Sequence, residues 1–245
     1  MKDNFSSHAD KYARYRPGYP KELFEYISGL ANAHELAWDC GTGNGQAASQ
    51  LSKYFNKIYA TDISAKQLDN AVRADNIIYA QEPAEKVSLA DGSTDLITVS
   101  QALHWFDISS FHKEAKRVGK VNAIIAIWTY SLLQVNTDID ELINAYHYKT
   151  LKEHWDPERK HVDDGYANIP FPFTPLPSPS FNIVLNWQRE DIEGYINTWS
   201  GTQKFIAVNN YNPVNDLMKE VYKVWPAGKT ERVNFPIHLK VGRVH

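Results

Sequence analysis

Cysteine is nearly absent from this chain of 245 residues, in which Cys40 is the single one. One cysteine forms no intramolecular disulfide and builds no thiolate metal site alone, which excludes a disulfide scaffold and favours a reducing compartment. The sequence also lacks an apolar run of the roughly 20 residues that span a membrane, and its first residues lack the apolar stretch of a signal peptide. We therefore expect a cytoplasmic protein with no membrane partner.

An excess of charge of either sign is also missing. The chain has 26 Lys and Arg against 29 Asp and Glu, a formal net charge of −3, and its basic residues are spread along the sequence. This distribution argues against nucleic acid as a partner. Apolar and aromatic side chains are plentiful, with 43% hydrophobic residues and seven Trp. They suffice for the core of one large domain, and we expect a single domain over residues 1–245.

Short apolar segments alternate with amphipathic ones in the first half of the chain. We predict strands at 36–39, 57–61, 77–80, 95–100 and 123–128. We predict helices at 20–30, 46–54, 64–73 and 108–118. The third helix should begin at Ser64, because Gln67 follows at the spacing of a capping box. Alternation of this kind is typical of an α/β fold with a doubly wound, mostly parallel sheet.

The alternation weakens after residue 130. A helix is predicted at 138–155, and the prolines between 169 and 179 exclude a helix or a central strand there. We interpret 138–180 as an insertion packed over one edge of the sheet. The remaining chain, 181–245, is predicted to complete the fold with strands at 181–187 and 232–244 and helices at 189–198 and 215–224.

The most informative segment is a glycine-rich turn after the first predicted strand. Asp39 precedes Gly41, Gly43 and Gly45. Glycines at this point let the backbone turn tightly and approach a ligand, and the following helix offers free N–H groups. The spacing differs from the dinucleotide-binding pattern, which requires Gly or Ala where Gln46 stands. A nicotinamide-dependent dehydrogenase is therefore disfavoured, and the carboxylate of Asp39 suits an ammonium group better than a pyrophosphate.

A second carboxylate stands at the end of the second predicted strand. Asp62 follows Gly43 by 19 residues. A carboxylate near this position of a βαβ unit accepts hydrogen bonds from both hydroxyls of a ribose. The combination of Asp39, three glycines and Asp62 within an alternating pattern indicates a nucleoside-binding site rather than an ordinary loop.

These residues resemble the S-adenosylmethionine-dependent methyltransferases of the Rossmann-like class, and methyltransferase type 11 among them. The segment 39–45 is similar to their first motif and 61–64 to their second-strand acid, while 84–85 and 91–95 are similar to the third-strand loop and the entry to the fourth strand. The resemblance covers about residues 5–130. It implies a Rossmann-like, seven-stranded sheet with an antiparallel last strand and helices on both faces, in which 35–130 form the cofactor-binding core.

The resemblance also implies a role for individual residues toward S-adenosyl-L-methionine. Asp39 and the backbone at Gly41 and Gly43 would meet the methionine part, and Asp62 would hold the ribose. The remaining contacts implied are Ile63 and Gln67 flanking the adenine, Ala84 and Glu85 at the adenine edge, and Gln101 beside the methionine part.

Three further segments, 5–20, 101–107 and 195–200, resemble the branch that includes trans-aconitate methyltransferase-like proteins. In that branch an N-terminal arm, here residues 1–20, folds over the cofactor. The resemblance implies that Tyr12 and Arg16 close the site from above, with Tyr19 beside them.

His104 and Trp105 follow the fourth predicted strand, at the sheet edge where open α/β sheets bind ligands. Leu103-His104-Trp105 resembles a triplet of small-molecule carboxyl methyltransferases, in which the tryptophan N–H holds the substrate carboxylate. A carboxylate is ionised at neutral pH and needs no base, whereas a hydroxyl or amine would require one, for which His104 is the candidate. Either residue would otherwise be structural.

We thus expect a methyltransferase that acts on a small molecule, with a carboxylate oxygen as the methyl acceptor. Methylation of nitrogen, carbon or hydroxyl with His104 as base stays open, as does a protein that binds the cofactor without turnover. No metal is expected. His147, His154 and His161 recur every seven residues, a rise of about 10.5 Å along a helix, which is too far apart for one ion.

Overall fold

The computed structural model describes residues 15–245, so the predicted roles of Tyr12 and the rest of 1–14 lie outside the described residues. The first described helix is α1 (Lys21–Gly29). The elements that follow are β1 (Leu36–Cys40), α2 (Gln46–Leu51), β2 (Lys57–Asp62), α3 (Ala65–Asp69), β3 (Ile77–Gln81), β4 (Thr94–Ser100), α4 (Ile108–Val118) and β5 (Gly119–Tyr130).

The second half of the described chain is mostly helical before it returns to the sheet. It consists of α5 (Thr137–Ala145), a π-helical turn (Tyr146–Thr150), α6 (Arg159–Asp163), β6 (Thr174–Pro175), β7 (Phe181–Trp187), α7 (Arg189–Asn197), α8 (Ser200–Asn209), α9 (Val214–Val224) and β8 (Glu231–Arg243). Short 3-10 helices lie at Leu103–Trp105 and Lys152–His154.

One sheet contains all the strands of the described chain. Its order is β3-β2-β1-β4-β5-β8-β6, and β7 also pairs with β8. Strands β1 to β5 run parallel, and β8 is antiparallel to each of its neighbours β5, β6 and β7. The predicted α/β, doubly wound sheet with an antiparallel last strand is confirmed, and the two-residue β6 is an addition at the edge of the Pro-rich segment.

Alternate residues of the buried strands face opposite sides of the sheet, as the two-residue period of a strand requires. In β5, Ile124, Ala126 and Trp128 join the core under α1 and α2, while Ile125 and Ile127 join the core under α4. The two apolar layers hold the carboxyl ends of β1, β2, β4 and β5 at one edge of the sheet. No helix in the described part of the chain is long and apolar enough to cross a membrane.

Three helix predictions were too long, one of them being α2, which ends at Leu51 instead of 54, and two helices, α6 and α8, were missed. The helix after Ser64 is capped as predicted, with Gln67 N–H donating to Ser64 Oγ at 3.4 Å, but it ends at Asp69 instead of 73. The helix predicted at 138–155 is α-helical only to Ala145 and continues as the π-helical turn. Helix α8 escaped prediction because Gly201 and Thr202 in its first turn are weak helix formers.

Candidate active site

A cleft of about 870 Å³, open to solvent, lies at the carboxyl ends of the central strands. The turn after β1 forms its floor, and the ends of β2, β4 and β5 contribute its walls. The lining residues are Arg16, Tyr19, 41–44, Gln46, 62–64, Gln67, 100–102, Trp105 and Tyr130. This place is the switch point between β1 and β4, where doubly wound sheets bind their ligands.

The glycine turn needs residues without a side chain at Gly41, Gly43 and Gly45, all of which have a left-handed backbone. Gly41 has a φ of +67°, and a Cβ there would lie 2.6 Å from Cβ of Ala102. Gly43 has a φ of +56°, and a Cβ there would meet nothing within 4 Å, so the backbone borders open space. The turn therefore packs closely against Ala102 at Gly41 and leaves its backbone accessible to a ligand at Gly43, as the sequence predicted.

Asp62 joins the turn to the second strand. Its Oδ2 accepts a hydrogen bond from Gly43 N–H at 2.9 Å, and its Oδ1 accepts one from Ser64 N–H at 2.9 Å. These bonds fix the carboxylate at the rim of the cleft. A carboxylate at this place can accept hydrogen bonds from the hydroxyls of a ligand.

Asp39 does not line the cleft. Its carboxylate is fully buried beneath the turn, where it accepts hydrogen bonds from Thr42 Oγ1 at 2.5 Å and Thr98 Oγ1 at 2.8 Å. Burial raises the pKa of Asp39 to about 6, against the lowering effect of the two hydroxyls. A buried, negatively charged group below the glycine turn favours a cationic ligand group above it.

This buried carboxylate gives a pH-dependent stability. Because the folded-state pKa lies above the value of 3.8 in the unfolded chain, the folded protein binds more protons, and the stability from Asp39 present below pH 4 is lost as the pH rises to 6. Asp39→Asn carries no charge to bury. Its free energy of unfolding relative to the native protein should rise by up to about 3 kcal/mol between pH 4 and pH 7.

Urea denaturation of both proteins across this pH range measures that difference. Asp95, which is ion-paired with Lys120 Nζ at 2.6 Å on the far side of the sheet, provides a matched control in Asp95→Asn. A pH-independent difference for Asp39→Asn would show that the carboxylate titrates normally.

The other predicted cofactor contacts are distributed unevenly. Ile63, Gln67 and Gln101 line the cleft, and Gln101 has a left-handed backbone with a φ of +54°, which is uncommon outside glycine and occurs at functional sites. Ala84 is buried below the surface, and Glu85 accepts a hydrogen bond from Asp107 N–H at 2.8 Å. Neither of these two residues lines the cleft, so their contact with adenine stays a prediction.

Arg16 spans the top of the cleft. Its Nη1 donates to Tyr130 Oη at 3.0 Å, and its guanidinium carbon lies 5.5 Å from the centre of the Tyr195 ring. These contacts tie residues near the start of the described chain to the end of β5 and to α7. Tyr15, next to it, packs so closely on Gly194 that a Cβ there would lie 2.3 Å from its ring.

A second cavity of about 540 Å³ adjoins the cleft. Arg16, Gln101 and Trp105 line both spaces. The residues that line only the second cavity are His104, Trp155, Asp156, Arg159, Val162, Trp199 and Ser200. Sequence reasoning missed Trp155 and Arg159, because segments far apart in the chain meet here and neither residue lies in a local motif.

His104 belongs to the second cavity and is held by the segment after α6. Its Nδ1 lies 2.8 Å from Tyr166 Oη, and its ring centre is 4.7 Å from that of Trp105. Burial, together with the positive charge of Arg159, lowers the pKa of His104 to about 3. The imidazole is therefore neutral at physiological pH.

The three evenly spaced histidines lie in three different elements, His147 in the π-helical turn, His154 in the 3-10 helix after it and His161 in α6. His147 packs against Trp155 and Asp163, whereas the ring of His154 lies 4.8 Å from that of Phe205. Among residues 15–245, no group of three His, Cys, Asp or Glu side chains is arranged to hold a metal ion.

The residues of the cleft fit an adenosyl sulfonium cofactor. The open backbone at Gly43 permits close contact, Asp62 offers a carboxylate to ribose hydroxyls, and the buried charge of Asp39 suits an ammonium group. A pyrophosphate would instead meet two carboxylates next to the turn, which is unfavourable. The donor set therefore agrees with the cofactor that the sequence motifs implied.

Comparisons with known proteins agree with this geometry. A family model described as a methyltransferase domain matches residues 38–127. A Dictyostelium discoideum protein named as a methyltransferase is 35% identical over 245 residues, covering 97% of this chain and 93% of its own. The solved structure of a type II methyltransferase from Anaeromyxobacter dehalogenans superposes with a TM-score of 0.88 at 34% identity, covering 94% of this chain and 98% of its own.

A more distant structure supports the fold alone. A Bacillus halodurans protein described as a methyltransferase superposes with a TM-score of 0.53 at 17% identity, covering 91% of this chain and 98% of its own. The resemblance to the trans-aconitate methyltransferase-like branch stays a prediction. From its motifs, its sheet, its cleft and these relatives, the chain belongs to the S-adenosylmethionine-dependent methyltransferases of the Rossmann-like class, and its cofactor is S-adenosylmethionine.

Proposed function

We propose that this methyltransferase acts on a small molecule and methylates a carboxylate oxygen, with the acceptor bound in the second cavity. That cavity meets the cofactor cleft at Arg16, Gln101 and Trp105. An acceptor in the second cavity would approach the cleft past these three side chains.

The charges around the second cavity suit one anionic group. Arg16 and Arg159 line it, and Lys204 Nζ lies 2.6 Å from Oδ2 of the lining residue Asp156. Asp163 is paired with Arg159 at 3.0 Å. Because Arg16 also faces the cofactor cleft, Arg159 is the cation that an acceptor carboxylate would meet inside the cavity.

The neutral protonation state of His104 is the strongest support for the proposal. A base with a pKa of about 3 does not hold a proton taken from a hydroxyl or an ammonium group at neutral pH. An acceptor that is already ionised needs no such step. The neutral imidazole instead orients neighbours, since its Nδ1 lies 2.8 Å from Tyr166 Oη and its ring contacts Trp105.

Bound S-adenosylmethionine supplies a methyl group on a sulfonium, which an anion attacks in line. The side chains of this chain contribute position and charge. Asp62 would hold the ribose, and Ile63 and Gln67 the adenine. The turn at Gly41 and Gly43 would hold the methionine part, with the charge of Asp39 buried beneath it. Trp105 at the junction would donate its indole N–H to the acceptor carboxylate, and the surrounding rings would exclude water.

A screen of small carboxylic acids, each beside its amide and its alcohol analogue, tests the proposal through formation of S-adenosylhomocysteine. The acids should be turned over and their analogues should not. Trp105→Phe keeps an aromatic ring but removes the N–H, and should lower kcat/KM about 10- to 100-fold with little change in cofactor affinity. His104→Gln retains a hydrogen-bonding group opposite Tyr166 and should change kcat by less than about threefold.

The opposite pattern would overturn the proposal. A substrate without a carboxylate that is turned over well by Trp105→Phe and poorly by His104→Gln would make His104 the base for a nitrogen, carbon or hydroxyl acceptor.

A further inference from the structure

Arg159 is held on two sides within the second cavity. Its Nε donates to Asp163 Oδ1 at 3.0 Å, and its guanidinium carbon lies 4.9 Å from the centre of the Trp155 ring. In the part of the chain that the structure describes, its Nη1 and Nη2 make no hydrogen bond. The end of the guanidinium that presents two parallel donors is therefore available to a ligand, while the Nε edge and one face are occupied.

His147 contacts both residues that hold Arg159, namely Asp163 and Trp155. Its Nε2 lies 3.4 Å from Oδ1 of Asp163, and its carbonyl oxygen accepts a hydrogen bond from Trp155 Nε1 at 3.1 Å. Its ring is 4.7 Å from the ring of Trp155. The side chain is 1% exposed. His147 thus restrains the carboxylate and the indole between which Arg159 is placed.

The backbone at His147 departs from the regular helix that the sequence predicted. Helix α5 changes to π-helical geometry over Tyr146–Thr150. Single π-helical turns are rare in proteins, and those that occur are often found at functional sites. In the described structure Nδ1 of His147 is buried without a hydrogen-bond partner. An apolar ring would fill the same space without this cost, so packing alone does not explain a histidine here.

We propose that Asp163 and His147 are positioning residues that fix the guanidinium of Arg159 for the acceptor carboxylate. This inference rests on the proposed function and extends it to the origin of acceptor recognition. Asp163 carries a negative charge, which by itself repels an anionic acceptor. Asp163 lowers the net positive charge beside Arg159, so its contribution to acceptor binding has to come from orienting the guanidinium. A guanidinium held in one orientation can donate two parallel hydrogen bonds to a carboxylate.

Positioning of Arg159 and a pure charge effect predict opposite changes in KM when the Asp163 carboxylate is removed. If Asp163 positions Arg159, then Asp163→Asn should raise KM for the acid about tenfold and leave kcat within about twofold. If only charge matters, the same variant should lower KM. Asp164→Asn removes the same charge one residue along, where the carboxylate accepts a hydrogen bond from Asn168 at 3.0 Å, and should leave KM unchanged.

His147→Phe separates positioning from stability. The phenyl ring retains the contacts with Trp155 and Trp199 and removes the unpartnered nitrogen, so the melting temperature should stay equal or rise. KM for the acid should nevertheless rise about threefold, because Asp163 loses one restraint. A fall in melting temperature with unchanged KM would assign His147 to packing alone and overturn its part of the proposal.

A spectroscopic measurement tests the positioning without a substrate. In the cofactor-bound protein the Nε–H signal of Arg159, assigned by its loss in Arg159→Lys, should exchange slowly with water. Asp163→Asn should broaden it, and Asp164→Asn should not. An unchanged signal in Asp163→Asn would overturn the inference even if acids are substrates. If the signal broadens but no acid is turned over, the positioning stands and the proposed carboxylate acceptor fails.

Discussion

Asp62→Ala is expected to weaken binding of S-adenosylhomocysteine about 1000-fold. The carboxylate, fixed by Gly43 N–H and Ser64 N–H, is expected to accept both ribose hydroxyls, and each hydrogen bond to a charged group contributes about 1.5 to 3 kcal/mol. Two such bonds correspond to about 100- to 10 000-fold in affinity. Calorimetric titration of both proteins measures the difference directly.

The design of this experiment depends on a second ligand, 5′-methylthioadenosine, which has the ribose but lacks the amino-acid part. Asp62→Ala should weaken both ligands by a similar factor. Asp75→Ala removes an exposed carboxylate between α3 and β3 and should change neither affinity. Thermal unfolding without ligand shows whether the loss of two backbone contacts has destabilised the turn. Native affinity for 5′-methylthioadenosine in a folded Asp62→Ala protein would contradict the assignment of Asp62 to the ribose.

The cofactor side of the site was predictable because its signals are local. A short buried strand, a turn that requires glycine at positions 41 and 43, and a carboxylate 19 residues later fall within one βαβ unit. Strand pairing between β1 and β2 then brings the turn to Asp62 without help from the rest of the chain. The sequence could not show that Asp39 lies beneath the turn, because this depends on Thr98 in the neighbouring strand β4.

The second cavity was not predictable for the opposite reason. Its walls come from Arg16, the segment after β4, the region after the π-helical turn, and the start of α8. A regular helix over 138–155 was the natural expectation from apolar spacing. The π-helical turn shifts that spacing and ends the helix early, which brings Trp155 onto the backbone of Gly201, where a Cβ would lie 3.0 Å from its ring.

Helix α8 illustrates the same limit. Glycine at its second position lowers its helix propensity, so the sequence alone gave no helix at 200–209. In the folded protein that glycine permits contact with the face of Trp155, and the contact offsets the weak local preference. Tertiary packing therefore decides this element, and with it one wall of the acceptor cavity.

Arg16→Ala is expected to lower kcat/KM about 1000-fold, through effects on both ligands. Arg16 lines the cleft and the second cavity, and its contacts with Tyr130 and Tyr195 hold its charge at their junction. Arg16 is half-buried, and removing a hydrogen-bonded charge from a binding site costs about 2 to 5 kcal/mol of binding free energy. Affinity for S-adenosylhomocysteine should fall about 10- to 30-fold, and the remaining loss should occur in the methyl-transfer step.

The same two ligands distinguish this role from that of Asp62. 5′-Methylthioadenosine has no carboxylate for Arg16, so Arg16→Ala should bind it normally, in contrast to Asp62→Ala. Arg16→Lys keeps the charge but loses the planar fork, and should recover cofactor affinity more fully than turnover. Arg243→Ala is the matched control, because Arg243 ends β8 beside the start of β5, where its guanidinium donates to Asn122 O at 3.0 Å. If Arg16→Ala weakened the binding of both ligands equally, Arg16 would contact the adenosine part of the cofactor instead of its carboxylate. Of the three side chains that line both spaces, Gln101 and Trp105 would then be left to position the acceptor against the cofactor.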